Sequence, residues 1–322
     1  MSSPLGKIRV ALVFLFVMLA VNFLAAQRLR DDAEGALHAS PDGKGGSDSE
    51  HALPEAKPTG QAVSQGHGIN YHGGPVMKGT PNIYIIWYGN WTNGPHASDS
   101  QTTVNLVDAF ISGLSGSGYM RINTTYGDNS GNVSGNLTRS TQIFDTGSAG
   151  TTFNDTGLQG IVSRALNNGS LPRDSNGVYL VLTSSNINES TGFCTQYCGF
   201  HTHASLGGVD IKYAFVGNPD RCPSGCEAQT TSPNGDSGGD GIINVLTHET
   251  EETITDPDLN AWFDSSGQED ADKCNFRFGP TSTASNGSKF NQTFGGHNWL
   301  IQMEWENSRT GGCDQTLGGA FH

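Results

Sequence analysis

The chain has 322 residues, enough for one large domain with a real core, and a formal net charge of −14 from 31 acidic and 17 basic residues. With 15% charged residues, 34% hydrophobic residues and 44 glycines, it reads as a loop-rich folded domain and not as a coiled coil or a disordered acidic tail. No Lys/Arg cluster offers a face for phosphates, so nucleic acid is not an expected partner; the acidity suits cation binding.

Lys7 and Arg9 precede an apolar run from Val10 to Val21, and Asn22 to Ala26 supplies small residues for cleavage. This order reads as a signal peptide over residues 1–26, cleaved near Ala26. An uncleaved anchor is the alternative, but the apolar stretch falls short of the ~20 residues that span a bilayer. No stable membrane span is expected after cleavage. Residues 27–69 read as a flexible leader rich in Gly, Ser, Asp, Ala and Pro, and residues 70–322 as a single globular domain.

Within that domain Ile83 to Tyr88 is a continuous β-branched and aromatic run, which predicts a buried strand. Thr103 to Leu114 carries apolar residues at helical spacing, and Leu158 to Leu166 predicts a second short helix. Val178 to Leu182 and Ile211 to Val216 predict two more strands, and Asp240 to Thr253 a third helix. The fold class expected is α/β or α+β: a mixed sheet with packed helices, zincin-like, followed by a disulfide-stapled, loop-rich C-terminal part.

Nine N-x-S/T sequons, at Asn90, Asn123, Asn132, Asn136, Asn154, Asn168, Asn188, Asn286 and Asn291, agree with export and predict solvent-facing asparagines. Six cysteines in an exported chain predict disulfides. Two C-x3-C pairs are local, so the expected pairing is 194–198, 222–226 and 274–313. A Cys zinc cluster is the less favoured alternative in an oxidising compartment.

The third helix holds the constellation that carries chemistry, His248-Glu249-Thr250-Glu251-Glu252. This H-E-x-x-E is a variant of the H-E-x-x-H zinc helix. His248 and Glu252 are i and i+4, so an imidazole and a carboxylate share one helical face and can ligate one Zn²⁺. Glu249 beside them can act as general base on a water. The wheel places Asp256 on the same side, expected to face a cleft, with Ile243, Leu246 and Ile254 opposite. Glu269 or Asp272 is the expected third ligand, with Asp256 and Asp258 as alternatives past the helix. The blander reading is an acidic surface face, or a structural Ca²⁺ site. Cys194-x3-Cys198-x2-His201-x-His203 reads as a disulfided loop with two incidental histidines. Trp299 and Trp305, near His297 and Glu304, line a cleft or form core; they also allow a weaker carbohydrate-binding reading. There is no G-x-S-x-G elbow, P-loop or Rossmann fingerprint. A two-carboxylate glycosidase stays open.

Several blocks in order resemble the EXORDIUM or phosphate-induced-protein family of plant extracellular proteins. They are Gly73 to Val76 leading into Asn82 to Gly89, Val178 to Thr183, Gly192 to Cys194 with Cys198 to His201, Tyr213 to Asn218, Cys222 to Cys226, and Pro233 to Asp236 with Asp240-Gly241. The resemblance implies a secreted wall or apoplast protein linked to growth control, with cell-wall components as partners and no established enzymatic chemistry. Typical plant members carry a small, apolar stretch where this chain has His248–Glu252. Trp262, Glu269 to Cys274 and Gln302 to Asn307 look more like microbial members with an H-E-x-x-E helix. A zinc-dependent, peptidase-like hydrolase acting on protein or peptide is therefore expected, with a non-enzymatic signalling or binding glycoprotein as the alternative.

Overall fold

Three runs of bulky apolar residues form the middle of a five-stranded sheet. They are β1 (Asn82–Tyr88), β3 (Gly177–Thr183) and β5 (Val209–Val216). The computed structural model describes residues 67–92 and 94–320; the expected signal peptide and almost all of the expected leader lie outside the described residues. The remaining strands, β2 (Thr138–Asp145) and β4 (Gly199–Leu206), complete the order β2-β1-β3-β5-β4. β2, β1, β3 and β5 run parallel, and β4 is antiparallel to β5. Strands buried on both faces have no polar side, which is why β1 and β3 read as unbroken apolar runs.

Parallel neighbours need crossovers. Helix α1 (Gln101–Leu114) connects β1 to β2, and α2 (Asp155–Asn167) lies between β2 and β3. Asn154 caps α2 by accepting from the Gly157 N–H at 3.2 Å. The β4–β5 hairpin turns on Gly207 and Gly208, at φ 64° and 80°. Two consecutive left-handed residues make the turn that matches strand twist, and only glycine adopts them without strain.

Helix α3 (Ser237–Thr255) starts at Asp236, whose carboxylate accepts from the Gly239 N–H at 3.0 Å. It ends where Pro257 forbids continuation. One side packs on β4 and β5. The other is covered by the C-terminal segment, where the Gln302 N–H donates to Asn244 Oδ1 at 2.7 Å. Every residue from Gly238 to Thr255 is buried. The expectation that the His/acid face opens onto a cleft is therefore corrected: it faces the interior, roofed by the segment after the helix.

The disulfides form between segments and not within them. Cys194 bonds Cys222 and Cys198 bonds Cys226, with Cα separations of 5.7 and 5.6 Å; only 274–313 pairs as expected. The hairpin register explains this. Gly199 lies opposite Val216, and the Gly217 N–H donates to the Cys198 carbonyl at 3.0 Å, so 194–198 runs beside the segment leaving β5. Cys222 precedes and Cys226 ends the single turn Pro223–Cys226, which presents two sulfurs to the two opposite. Among the described residues no helix is long and apolar enough to cross a membrane.

Two further expectations fail on burial. Asn123 is fully buried and its amide donates to the Glu251 carbonyl at 3.1 Å, so this sequon cannot face solvent. Trp299 is also buried, edge-on to Phe110 with ring centroids 5.2 Å apart, so it offers no face to a sugar.

Candidate metal centre

Helical spacing brings His248 Nε2 within 2.9 Å of Glu252 Oε1. After α3 the chain returns through a turn into the short 3₁₀ helix Asp272–Cys274, pinned by the Cys274–Cys313 bridge. There the Asp272 backbone N–H donates to Glu252 Oε1 at 3.1 Å, while Asp272 Oδ1 sits 3.5 Å from His248 Nε2. His248, Glu252 and Asp272 thus each offer one donor atom within 4.8 Å of the other two. Three of the residues expected to hold metal converge.

Glu269, the other expected third ligand, joins a different set. Its Oε2 is 3.1 Å from His201 Nε2, and His201 Nε2 is 3.8 Å from Glu252 Oε2. His201, Glu252 and Glu269 form a second triad within the same 4.8 Å limit, all three buried. His201 is therefore not incidental, and it is not in a loop. It stands on β4, which the sequence reading missed. The pattern Phe200-His201-Thr202-His203 was the signal, since period two sets both histidines on one face of a strand; His201 lies deeper and is buried, while His203, nearer the hairpin turn, is half-buried. His203 lies with Asp210 and Asp258 instead, half-buried. The Lys212 ammonium is 2.6 Å from Asp210 and 3.3 Å from Asp258, so a fixed cation already serves that group. Asp256, an alternative ligand by sequence, spends Oδ1 on the Asn260 and Ala261 N–H groups, both at 2.6 Å.

Burial dominates the electrostatics of these groups. Burial opposes charge on His248, but Glu252, Asp272 and Glu249 outweigh it and hold the imidazole pKa well above its usual range. Burial pushes Glu252 up to about 8, and pushes Glu249 and Glu269 well above the carboxylate range. Burial, with the charge of His248, lowers His201 to about 3. Burial thus disfavours charge on both partners of the His201–Glu269 contact, whose geometry is that of a hydrogen bond. Buried polar atoms are normally paired. Here His201 Nδ1, both nitrogens of His248, both oxygens of Glu249, Glu252 Oε2 and Glu269 Oε1 lack a hydrogen-bond partner among the described residues. His248 Nε2 is close to Glu252 Oε1 without the alignment of a hydrogen bond.

This donor set fits a transition metal. Ca²⁺ wants six to eight oxygens, whereas imidazole with carboxylate suits zinc and its first-row neighbours. Glu249, the expected base, lies one residue from His248, and its Oε1 would be 2.8 Å from a Cβ placed on Gly199. Below the centre lies a further group of buried acids, Glu251, Asp270 and Glu304. Tyr119 donates to Glu304 Oε1 at 2.7 Å.

The family model described as the phosphate-induced protein 1 conserved region matches residues 69–309. Protein EXORDIUM-like 5 of Arabidopsis thaliana is 32% identical over 273 residues, covering 74% of this chain and 75% of the relative. Protein EXORDIUM-like 3 of the same plant is 30% identical over 74% of this chain and 80% of its own, and Protein EXORDIUM is 27% identical over 61% and 68%. No solved structure matches the chain.

Proposed function

Because the chain belongs to the phosphate-induced protein 1 family and is similar to EXORDIUM-type proteins, we propose that it is a secreted glycoprotein carrying a zinc centre that hydrolyses peptides. The observation that carries the reading is the convergence of His248, Glu252 and Asp272 on one buried point, with neighbouring donor atoms left without partners. Three disulfides fit an oxidising, extracellular compartment.

His248, Glu252 and Asp272 would hold the ion. Bound zinc supplies a Lewis acid for a carbonyl and lowers the pKa of water toward ~7. Glu249 would accept a proton from a water and return it to the leaving amine, and burial holds its pKa well above the usual carboxylate range. Zinc measured by mass spectrometry on the purified mature protein should be stoichiometric. Glu249→Gln should keep the metal and lose about 10²–10⁴-fold in peptide hydrolysis. Metal-free protein, or equal hydrolysis by the variant, rejects the reading.

A second reading rests on a specific observation. His248 is 1% exposed and Glu249 and Glu252 are 0% exposed, so the donors are closed from solvent and the metal would act as a structural staple in a non-enzymatic growth-related protein. Full zinc with no hydrolysis of any peptide library would favour it.

A further inference from the structure

Resting on the metal reading above, we infer that the centre is dinuclear, with Glu252 as a bridging carboxylate between two cations. The two oxygens of Glu252 face different partners. Oε1 is beside His248, 2.9 Å away, and near the Asp272 segment; Oε2 is turned toward His201, 3.8 Å away. The donors accordingly group as two triads that share only this residue: His248, Glu252 and Asp272 on one side, His201, Glu252 and Glu269 on the other. Each triad has one imidazole and two carboxylates, which is a sufficient protein ligand set for a first-row divalent ion.

The second triad also has orphaned polar atoms, two of its three residues lying outside the helix motif. Glu269 Oε1, Glu252 Oε2 and His201 Nδ1 are all buried and lack hydrogen-bond partners among the described residues. Glu269 is 2% exposed and His201 0%. Three carboxylates leave a net charge of −1 against one divalent ion and +1 against two, so the grouping of the donors into two triads, and not the charge sum, carries the second ion. Paired ions about 3.5–4 Å apart, joined by a carboxylate, are a recurring arrangement for hydrolysis. The simpler alternative is that His201 only orients Glu269 from behind a single-metal site, as outer partners of metal ligands do.

Metal counting on the full mature protein separates these. After stripping and reloading with Zn²⁺ or Mn²⁺, the unaltered protein should hold two equivalents per chain, and the Mn²⁺ form should show an exchange-coupled electron paramagnetic resonance spectrum. His201→Ala should fall to one equivalent and lose the coupling while keeping a wild-type circular dichroism spectrum. His201→Gln is the parallel variant should the alanine form misfold, and the count on unaltered protein decides in either case. One equivalent with an uncoupled Mn²⁺ spectrum overturns the bridged pair and leaves the single zinc site standing. No bound metal at all removes both.

Discussion

Glu249 and Gly199 show how closely the centre is built at the level of single residues. A methyl group on Gly199 would sit 2.6 Å from Val245 Cγ1, 2.7 Å from the Phe215 carbonyl and 2.8 Å from Glu249 Oε1. Only a strand residue without a Cβ lets β4 lie this close to α3. Gly199→Ala should destabilise the protein by about 1–3 kcal/mol, read from denaturant midpoints, because two of the three obstructing groups are backbone or packed core. It should also weaken metal binding, since β4 carries His201. Asn123 is the counterpart among the sequons. Its amide is committed to the Glu251 carbonyl, so glycopeptide mass spectrometry should find it unmodified. Asn90, Asn132, Asn136, Asn154 and Asn168 are exposed, so burial does not stand in the way of a glycan there. Detection of a glycan on Asn123 in folded protein would contradict the buried placement.

At the level of elements, legibility followed burial. β1, β3 and β5 are central, and their apolar runs announced them. Helices α1, α2 and α3 were legible from apolar spacing, with ends that shifted by at most three residues. Both missed strands are the sheet edges. β2, Thr138 to Asp145, has no fully buried residue and reads as Thr-Arg-Ser-Thr-Gln before its first apolar residue. β4 carries two histidines and two small polar residues, so it passed for a loop. That error propagated to the site: with β4 unseen, His201 had no face and no neighbours. His248, Glu252 and Asp272 were legible because a helix fixes spacing locally. The split of Glu269 from Asp272 was not, because it depends on a return segment whose path is set by tertiary contacts. The disulfide pairing failed for the same reason, as adjacency in space came from hairpin register. Peptide mapping of the unreduced protein should recover 194–222 and 198–226 as linked peptides. Each closes a span of 28 residues. Such a crosslink stabilises by about 3–4 kcal/mol where geometry is unstrained.

For the molecule as a whole, the buried acids set how stability depends on pH. Burial raises Asp256 and Asp270 to about 7 and Asp240 to about 6. The unfolded chain ionises such groups near pH 4, while the folded chain keeps their protons. The folded state therefore binds more protons, and its advantage is full below about pH 4 and is lost as pH rises through 6 to 7. Chelated protein should melt lower at pH 8 than at pH 5, by about 2–4 °C for each kcal/mol lost. Metal acts in the opposite sense, because Glu252, held up to about 8, must surrender its proton to bind. The gap in melting temperature between metal-loaded and chelated protein should widen from pH 5 to pH 8. A gap that narrows would contradict a carboxylate-ligated ion.

The two parallel crosslinks also shape how the fold answers to reducing agents. Cys194–Cys222 and Cys198–Cys226 clamp the same pair of segments, and the sulfurs of Cys222 and Cys226 are only 3.5 Å apart. When a thiol reagent opens one rung, its neighbour still holds the freed sulfurs face to face, and reclosure outruns separation. Unlocking the hairpin then needs two openings at once, so its onset should show a lag and rise steeply with dithiol concentration. A chain with Cys198→Ser and Cys226→Ser, left with one rung, should come apart without that delay.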